Sequence, residues 1–135
     1  MSGRLRLTLA YLLLLALLVV VALVAFAGSS CAGDVPGVPC PEAGRNRAIV
    51  VAMVGVATWL LVTPFAFLAE FGLRRRIAYR GMWARAHRRG LLVGLAVAAL
   101  AGLRLGGALS VPGALFVVVM LVLVEWFAIR RLDLP

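Results

Sequence analysis

Residues 70–107 read EFGLRRRIAYRGMWARAHRRGLLVGLAVAALAGLRLGG. The part up to Arg89 holds seven arginines, whereas the part from Gly90 onward holds only Arg104. The same alternation runs through the whole chain, because all fourteen basic residues are arginines and eleven of them fall into three short segments: 4–6, 74–89 and 130–131. Apolar runs of about 20 residues cross a bilayer as helices, and cytoplasmic loops concentrate arginine. The pattern therefore predicts a multi-span membrane protein.

Composition supports this class of protein. Hydrophobic residues make up 64% of the 135 positions, and the mean hydropathy is +1.10. A soluble domain would leave most of this apolar surface with nothing to bury against. We therefore predict an all-α fold, a four-helix transmembrane bundle that forms a single domain over residues 1–135. The expected helices lie at about 7–27, 48–69, 90–107 and 111–129, with an outer loop at 28–47 and a cytoplasmic basic loop at 70–89.

Helix 1 has a second interpretation, because Ala25-Phe26-Ala27 fits the small-x-small site at which signal peptides are cleaved. The apolar run of helix 1, residues 7–27, is longer than the hydrophobic region of about 7–15 residues that signal peptides carry. We therefore expect helix 1 to remain in the protein as a spanning helix.

Two features predict that both termini are cytoplasmic. Eleven arginines lie on the side of the N-terminus and two, Arg45 and Arg47, lie on the other side. Independently, Cys31 and Cys40 lie in the proline- and glycine-rich segment 28–47 and are expected to form one structural disulfide. Disulfides persist outside the cytosol, so both features place this segment outside.

Helix 3 carries small residues at strict four-residue spacing: Gly90, Gly94, Ala98, Gly102 and Gly106. Such rows allow helix backbones to approach closely, which is the usual basis of helix packing in lipid. The row is expected to pack against helix 2 or helix 4 of the same chain, with a seam between copies of the chain as the alternative.

Three charged residues border or enter the spans. Arg104 lies within helix 3, and it either serves a function inside the bundle or anchors the helix by extending to the headgroups. Glu70 and Glu125 are expected at the cytoplasmic ends of helices 2 and 4, where Arg74 stands four residues after Glu70. We call the arginines at the expected cytoplasmic ends of the helices the basic belt. These two carboxylates either neutralise the basic belt or together form a cation or proton site.

The basic belt predicts contact with anionic headgroups of the inner leaflet, worth very roughly 1 kcal/mol per basic residue. Nucleic acid is not expected as a partner despite the net charge of +9, because the arginines stand at the ends of apolar runs. His87 is expected to be a solvated interfacial residue. The predicted lipid contacts are Arg74, Arg75, Arg76, Arg80, Arg85, Arg88 and Arg89.

The spans offer almost nothing that could act as an acid, base, nucleophile or metal ligand, so neither catalytic residues nor a cofactor is predicted. The expected function is that of a non-catalytic accessory or scaffold component with a basic cytoplasmic face, bound to other membrane proteins or to itself. The alternative is a small oligomeric transporter or lipid flippase that uses Arg104 or the pair Glu70 and Glu125.

The runs RRGLL at 88–92 and LRL at 103–105, together with Glu125 closing helix 4, resemble a group of small four-span bacterial integral membrane proteins. The likeness covers roughly the second half of the chain. It implies a four-span fold in the cell (inner) membrane, and that group has no known activity that would imply a function here.

Overall fold

The computed structural model describes residues 3–30, 40–73 and 79–132, and it describes only the backbone of 3–5, 73, 79–82 and 131–132. Within these ranges the chain forms four helices and no strand. The predicted all-α fold is thus confirmed. The helices are α1 (Gly3–Ser29), α2 (Ala43–Leu73), α3 (Tyr79–Leu105) and α4 (Val111–Leu132).

Three of the helices are long and apolar enough to cross a membrane: Arg6–Ser29 in α1, Ala43–Gly72 in α2 and Val111–Arg130 in α4. Helix α3 is not among them. Its charge-free part is confined to residues 90–103 by arginines on both sides, a length of roughly 21 Å at the rise of an α-helix. The hydrocarbon core of a bilayer is about 30 Å thick.

Helix α3 also begins eleven residues before the predicted start at Gly90, at Tyr79. Much of the segment predicted as a cytoplasmic loop is therefore helical, because Arg, Ala and Met are good helix formers and no proline interrupts them. Helix α2 likewise continues to Leu73. The connection between α2 and α3 is thereby reduced to 74–78, which lies outside the described residues.

The order of the helices in space follows their order in the chain. Close backbone contacts join α1 to α2, α2 to α3 and α3 to α4, and α2 with α3 is the most extensive pair; no other pair within the described residues approaches as closely. Side chains of α1, α2 and α3 meet in a small core of Leu9, Phe67 and Ala86. Helices α2 and α3 are therefore the central pair, with α1 and α4 on the outside.

The outer helices expose apolar side chains along much of their length. Leu17 of α1 is 61% exposed and Phe116 of α4 is 65% exposed. Apolar patches of this extent are rare on soluble monomers, whereas lipid tails cover them without cost. The burial pattern thus agrees with the membrane class inferred from composition.

Candidate functional site

A cluster of four charged side chains joins three helices near the ends of α2 and α4. Arg89 of α3 donates a hydrogen bond from Nε to Glu125 Oε1 at 2.9 Å and another from Nη1 to Glu70 Oε1 at 3.0 Å. Arg85 Nε lies 3.5 Å from the same oxygen of Glu70. We call this group of Glu70, Arg85, Arg89 and Glu125 the charge cluster, and the end of the bundle that contains it the charged end.

The position of α3 between α2 and α4 explains why these residues meet. Arg85 and Arg89 are four residues apart and so lie on one face of α3. The guanidinium of Arg89 presents donors in a fixed planar fork, so its Nε and Nη1 can serve carboxylates on two different helices. The cluster contains two positive and two negative side chains, and its formal charges cancel.

Burial is unequal within the cluster. The side chain of Glu70 is only 10% exposed, whereas those of Glu125 and Arg89 are 32% and 36% exposed. Oε1 of Glu70 has arginine neighbours, but its Oε2 is buried without a hydrogen-bond partner. A buried carboxylate oxygen without a donor costs roughly 1–3 kcal/mol or more. The cost of burying the negative charge of Glu70 is therefore offset by its contacts with Arg89 and Arg85.

The glycine row of α3 lies against α2 along most of its length. A Cβ atom on Gly94 would stand 2.6 Å from the carbonyl oxygen of Gly55, and one on Gly90 would overlap Thr63 Oγ1. Ala98 also borders this contact, since a Cβ on Gly55 would stand 3.0 Å from its methyl group. At Gly94 the two backbones thus approach more closely than a side chain would allow, and at Gly90 the space is taken by the side chain of Thr63.

The last two positions of the row differ from the first three. A Cβ on Gly102 would meet only the methyl groups of Val51 at 3.8 Å, which is ordinary contact. Gly106 faces no other helix within 4 Å and instead ends α3. The N–H groups of Gly107 and Ala108 bond to the carbonyls of Arg104 and Leu103, and Gly107 has a φ of 70°. This is the Schellman arrangement that glycine favours.

An aromatic cluster lies beside the charge cluster. The ring of His87 packs between Trp59, with centroids 6.0 Å apart, and Trp83, with centroids 5.8 Å apart. Trp83 stacks in turn on Phe67 at 4.4 Å. The prediction that His87 is a solvated interfacial residue missed this packing. Trp83, His87 and Gly90 follow one another at spacings of four and three residues, so they lie on one face of α3. This spacing was the sequence signal that His87 faces the neighbouring helix.

The remaining predicted residues do not join the cluster. Arg104 lies exposed on the last turn of α3, where the helix dipole favours a cation. Arg130 stands over the ring of Trp126 at 4.2 Å, so it does not pair with Glu125. Cys31 and Arg74–Arg76 lie outside the described residues, and Arg80 is described only by its backbone. The disulfide of Cys31 and Cys40 therefore stays a prediction.

The grooves between the helices are apolar. One of about 150 Å³ lies between α2 and α3, and its walls include Gly55, Val56, Trp59, Leu91, Leu95 and Ala98. Another of about 450 Å³ separates α1 from α2, and a third of about 320 Å³ separates α3 from α4. Within the described residues there is also no group of His, Cys, Asp or Glu that could hold a metal ion.

Comparison with family models, with curated proteins and with solved structures finds no match to this chain. The function must therefore be argued from the site itself.

Proposed function

We propose that this chain is a non-catalytic integral membrane protein that acts as an accessory or scaffold component. The observation that carries this proposal is that the charged side chains inside the bundle pair with each other across helices. Arg89 binds carboxylates on two neighbouring helices, so these charges hold the helices together and do not line a polar cavity. Such a bundle offers binding surfaces for other proteins and a basic face for anionic lipid.

In this proposal α3 is the fourth span and both termini are cytoplasmic. The charge-free part of α3 is short, but long arginine side chains can extend along apolar surface to the headgroups. Arg104 stands at one end of this charge-free part and Arg88 near the other, and both side chains are long enough to extend toward the headgroups in this way. The arginine bias between the two ends of the helices then supports a cytoplasmic location of the charged end.

The binding surfaces are the outward faces of α1 and α4. Helix α4 contacts only α3 among the described helices, and its side chains Leu115, Phe116 and Val118 are exposed. These faces can receive another membrane protein or a second copy of the chain. The segment 28–47, closed by a disulfide between Cys31 and Cys40, would lie outside.

The experiment that tests this function is quantitative recovery of bound chains from native membranes in a mild detergent. The tagged protein should bring down a defined partner, or a second copy, in a stoichiometric amount. Replacing Phe116 by Ser should reduce that amount, whereas the same change at Phe65, which is 64% exposed on α2 and belongs to neither face, should leave it unchanged. Recovery of the chain alone, with reconstituted vesicles that show flux, would overturn the scaffold proposal.

One observation favours a second candidate, a small oligomeric transporter or flippase. Glu70 Oε2 is buried without a hydrogen-bond partner, so it could receive a proton or a donor group during transport. Proton or lipid flux in vesicles that contain wild-type protein, lost in Glu70→Gln and kept in Arg104→Gln, would support this candidate.

A further inference from the structure

We propose that the groove between α2 and α3 and the arginines at its charged end together form a binding site for one anionic phospholipid. The acyl chain would lie in the groove, and the phosphodiester would bind the guanidinium groups of Arg88 and Arg85. This inference rests on the proposed membrane location, and it names a ligand for a surface of the central helix pair.

The groove and the arginine share one face of α3. Leu91, Leu95 and Ala98 line the groove, and Arg88 precedes Leu91 by three residues. Positions three or four apart lie above one another on a helix, so Arg88 stands one turn beyond the charged end of the groove. Ala84, one turn further, is exposed and its small side chain leaves room beside the guanidinium.

Among the described residues, Arg88 has no partner that would neutralise its charge. It forms no hydrogen bond or ion pair with the described residues, and its Nε is buried without a partner. A buried cationic donor of this kind is costly unless an acceptor reaches its guanidinium. The neighbouring Arg89 uses its Nε for Glu125 and its Nη1 for Glu70, so it is less available to a ligand than Arg88.

Arg85 supplies the second half of the headgroup site. Its Nε lies 3.5 Å from Glu70 Oε1 and its side chain is 39% exposed, so the guanidinium can still bind a ligand. Arg85 and Arg88 are three residues apart, and like charges at this spacing repel each other. A phosphate between them removes that repulsion and accepts charge-assisted hydrogen bonds from both.

The walls of the groove match an acyl chain. Gly55, Val56, Leu91 and Leu95 present hydrocarbon or no side chain, and Leu95 is 59% exposed. Trp59 and Leu91 lie at the end nearest Arg88, where the chain would meet the headgroup. The groove thus offers an apolar space of about 150 Å³ to the acyl chain.

The test uses the full-length protein in detergent micelles and native mass spectrometry. Phosphatidylglycerol and phosphatidylcholine with identical acyl chains are added in equal amounts. Wild-type protein should retain one phosphatidylglycerol with a preference of about tenfold, the factor that corresponds to 1.4 kcal/mol. Arg88→Gln should abolish the preference, and Arg88→Lys, which keeps the charge without the planar fork, should keep part of it.

Ala52→Leu tests the groove independently of the headgroup. Ala52 is exposed and lines the groove, so the larger side chain should reduce retention of both phospholipids several-fold without a change of preference. Arg104→Gln, at the far end of α3, should leave retention and preference unchanged. Thermal unfolding of each variant shows whether it is folded.

Three results would overturn the lipid site: an unchanged preference in folded Arg88→Gln, an equal loss in Arg104→Gln, or complete displacement of the lipid by millimolar inorganic phosphate. The last result would mean that free phosphate is the ligand. Failure of the lipid site is distinct from failure of the proposed function. A membrane-extracted protein that holds no lipid refutes only the former, whereas a chain recovered from the soluble fraction refutes the latter.

Discussion

Arg89 Nη1 lies 3.0 Å from Oε1 of Glu70, a carboxylate whose side chain is nine-tenths buried. The same guanidinium reaches Glu125 on α4 through its Nε. Because α3 is the only described helix that contacts α4, Arg89 is a polar link between the central helix pair and α4. Breaking that link should affect both the folding energy and the position of α4.

Arg89→Gln should lower the free energy of unfolding by up to about 3 kcal/mol, because it leaves the buried carboxylate of Glu70 with only the longer contact to Arg85 at 3.5 Å. Arg104→Gln is the matched control, since it removes an exposed arginine from the other end of the same helix and should change stability by less than about 0.5 kcal/mol. Denaturant titration in detergent, followed by circular dichroism, measures both. Equal effects of the two substitutions would contradict a structural role of Arg89.

The glycine row allows a comparison between two alanine substitutions on one helix. Gly94→Ala should destabilise the protein by about 1–3 kcal/mol, the usual cost of overpacking, because its new methyl group would stand 2.6 Å from a backbone oxygen of Gly55. Gly102→Ala should be neutral or stabilising, since its methyl group meets only Val51 at 3.8 Å and alanine favours helix. Thermal unfolding of both variants in one detergent distinguishes the two positions. Destabilisation by Gly102→Ala alone would contradict this assignment.

Segregation of charge from apolar residues was enough to predict the number of helices and the approximate position of each. The boundaries were less predictable, because residues 79–89 carry four arginines yet include good helix formers. The apolar run therefore begins at Gly90, whereas α3 begins at Tyr79. In the sequence, Glu70 has Arg74 as a neighbour one turn away. That it bonds to Arg89, nineteen residues on, depends on how α3 is rotated against α2, and this rotation is set by packing.

The aromatic cluster illustrates the same limit. Trp59 and His87 belong to different helices, and nothing in their local sequence places their rings 6.0 Å apart. The contact results from the close approach of α2 and α3 at Gly90 and Gly94, which brings neighbouring large side chains together. Small-residue spacing therefore predicts that two helices meet, but not which side chains meet beside them.

The proposed topology predicts opposite labelling of two single-cysteine variants in intact cells. In a background that lacks Cys31 and Cys40, Ser110→Cys at the exposed start of α4 should react with an impermeant thiol reagent, and Ser2→Cys should not. If α3 does not cross the membrane, Ser110 lies on the same side as the charged end and stays unlabelled. Labelling of Ser2→Cys before cell disruption would contradict the orientation.

The predicted disulfide has a direct test. Protein extracted from membranes with a thiol-blocking reagent present should bind none of it at Cys31 or Cys40 until a reductant is added. Reduction should then destabilise the folded chain by a modest amount, since a loop of about ten residues closes with roughly 2–3 kcal/mol of chain entropy. Two thiols that react without a reductant would refute the disulfide and remove one of the two arguments for orientation.

The two carboxylates of the charge cluster should contribute differently to the free energy of unfolding, although both bind Arg89. Glu70→Gln should cost about 3 kcal/mol or more, because Glu70 is buried and its loss leaves Arg89 and Arg85 with less negative charge between them. Glu125→Gln should cost about 1 kcal/mol, the value of a solvated ion pair, since Glu125 is 32% exposed.

A double-mutant cycle with Arg89→Gln separates the two contacts, because residues in one ion-pair network are not additive. The coupling energy of Arg89 with Glu70 should exceed that of Arg89 with Glu125, measured as unfolding free energies in the same detergent. A larger coupling to Glu125 would mean that solvent reaches Glu70 Oε2 in the membrane, because a hydrated carboxylate would no longer depend on its arginines. The scaffold role of the cluster would then rest on the link between α3 and α4 alone.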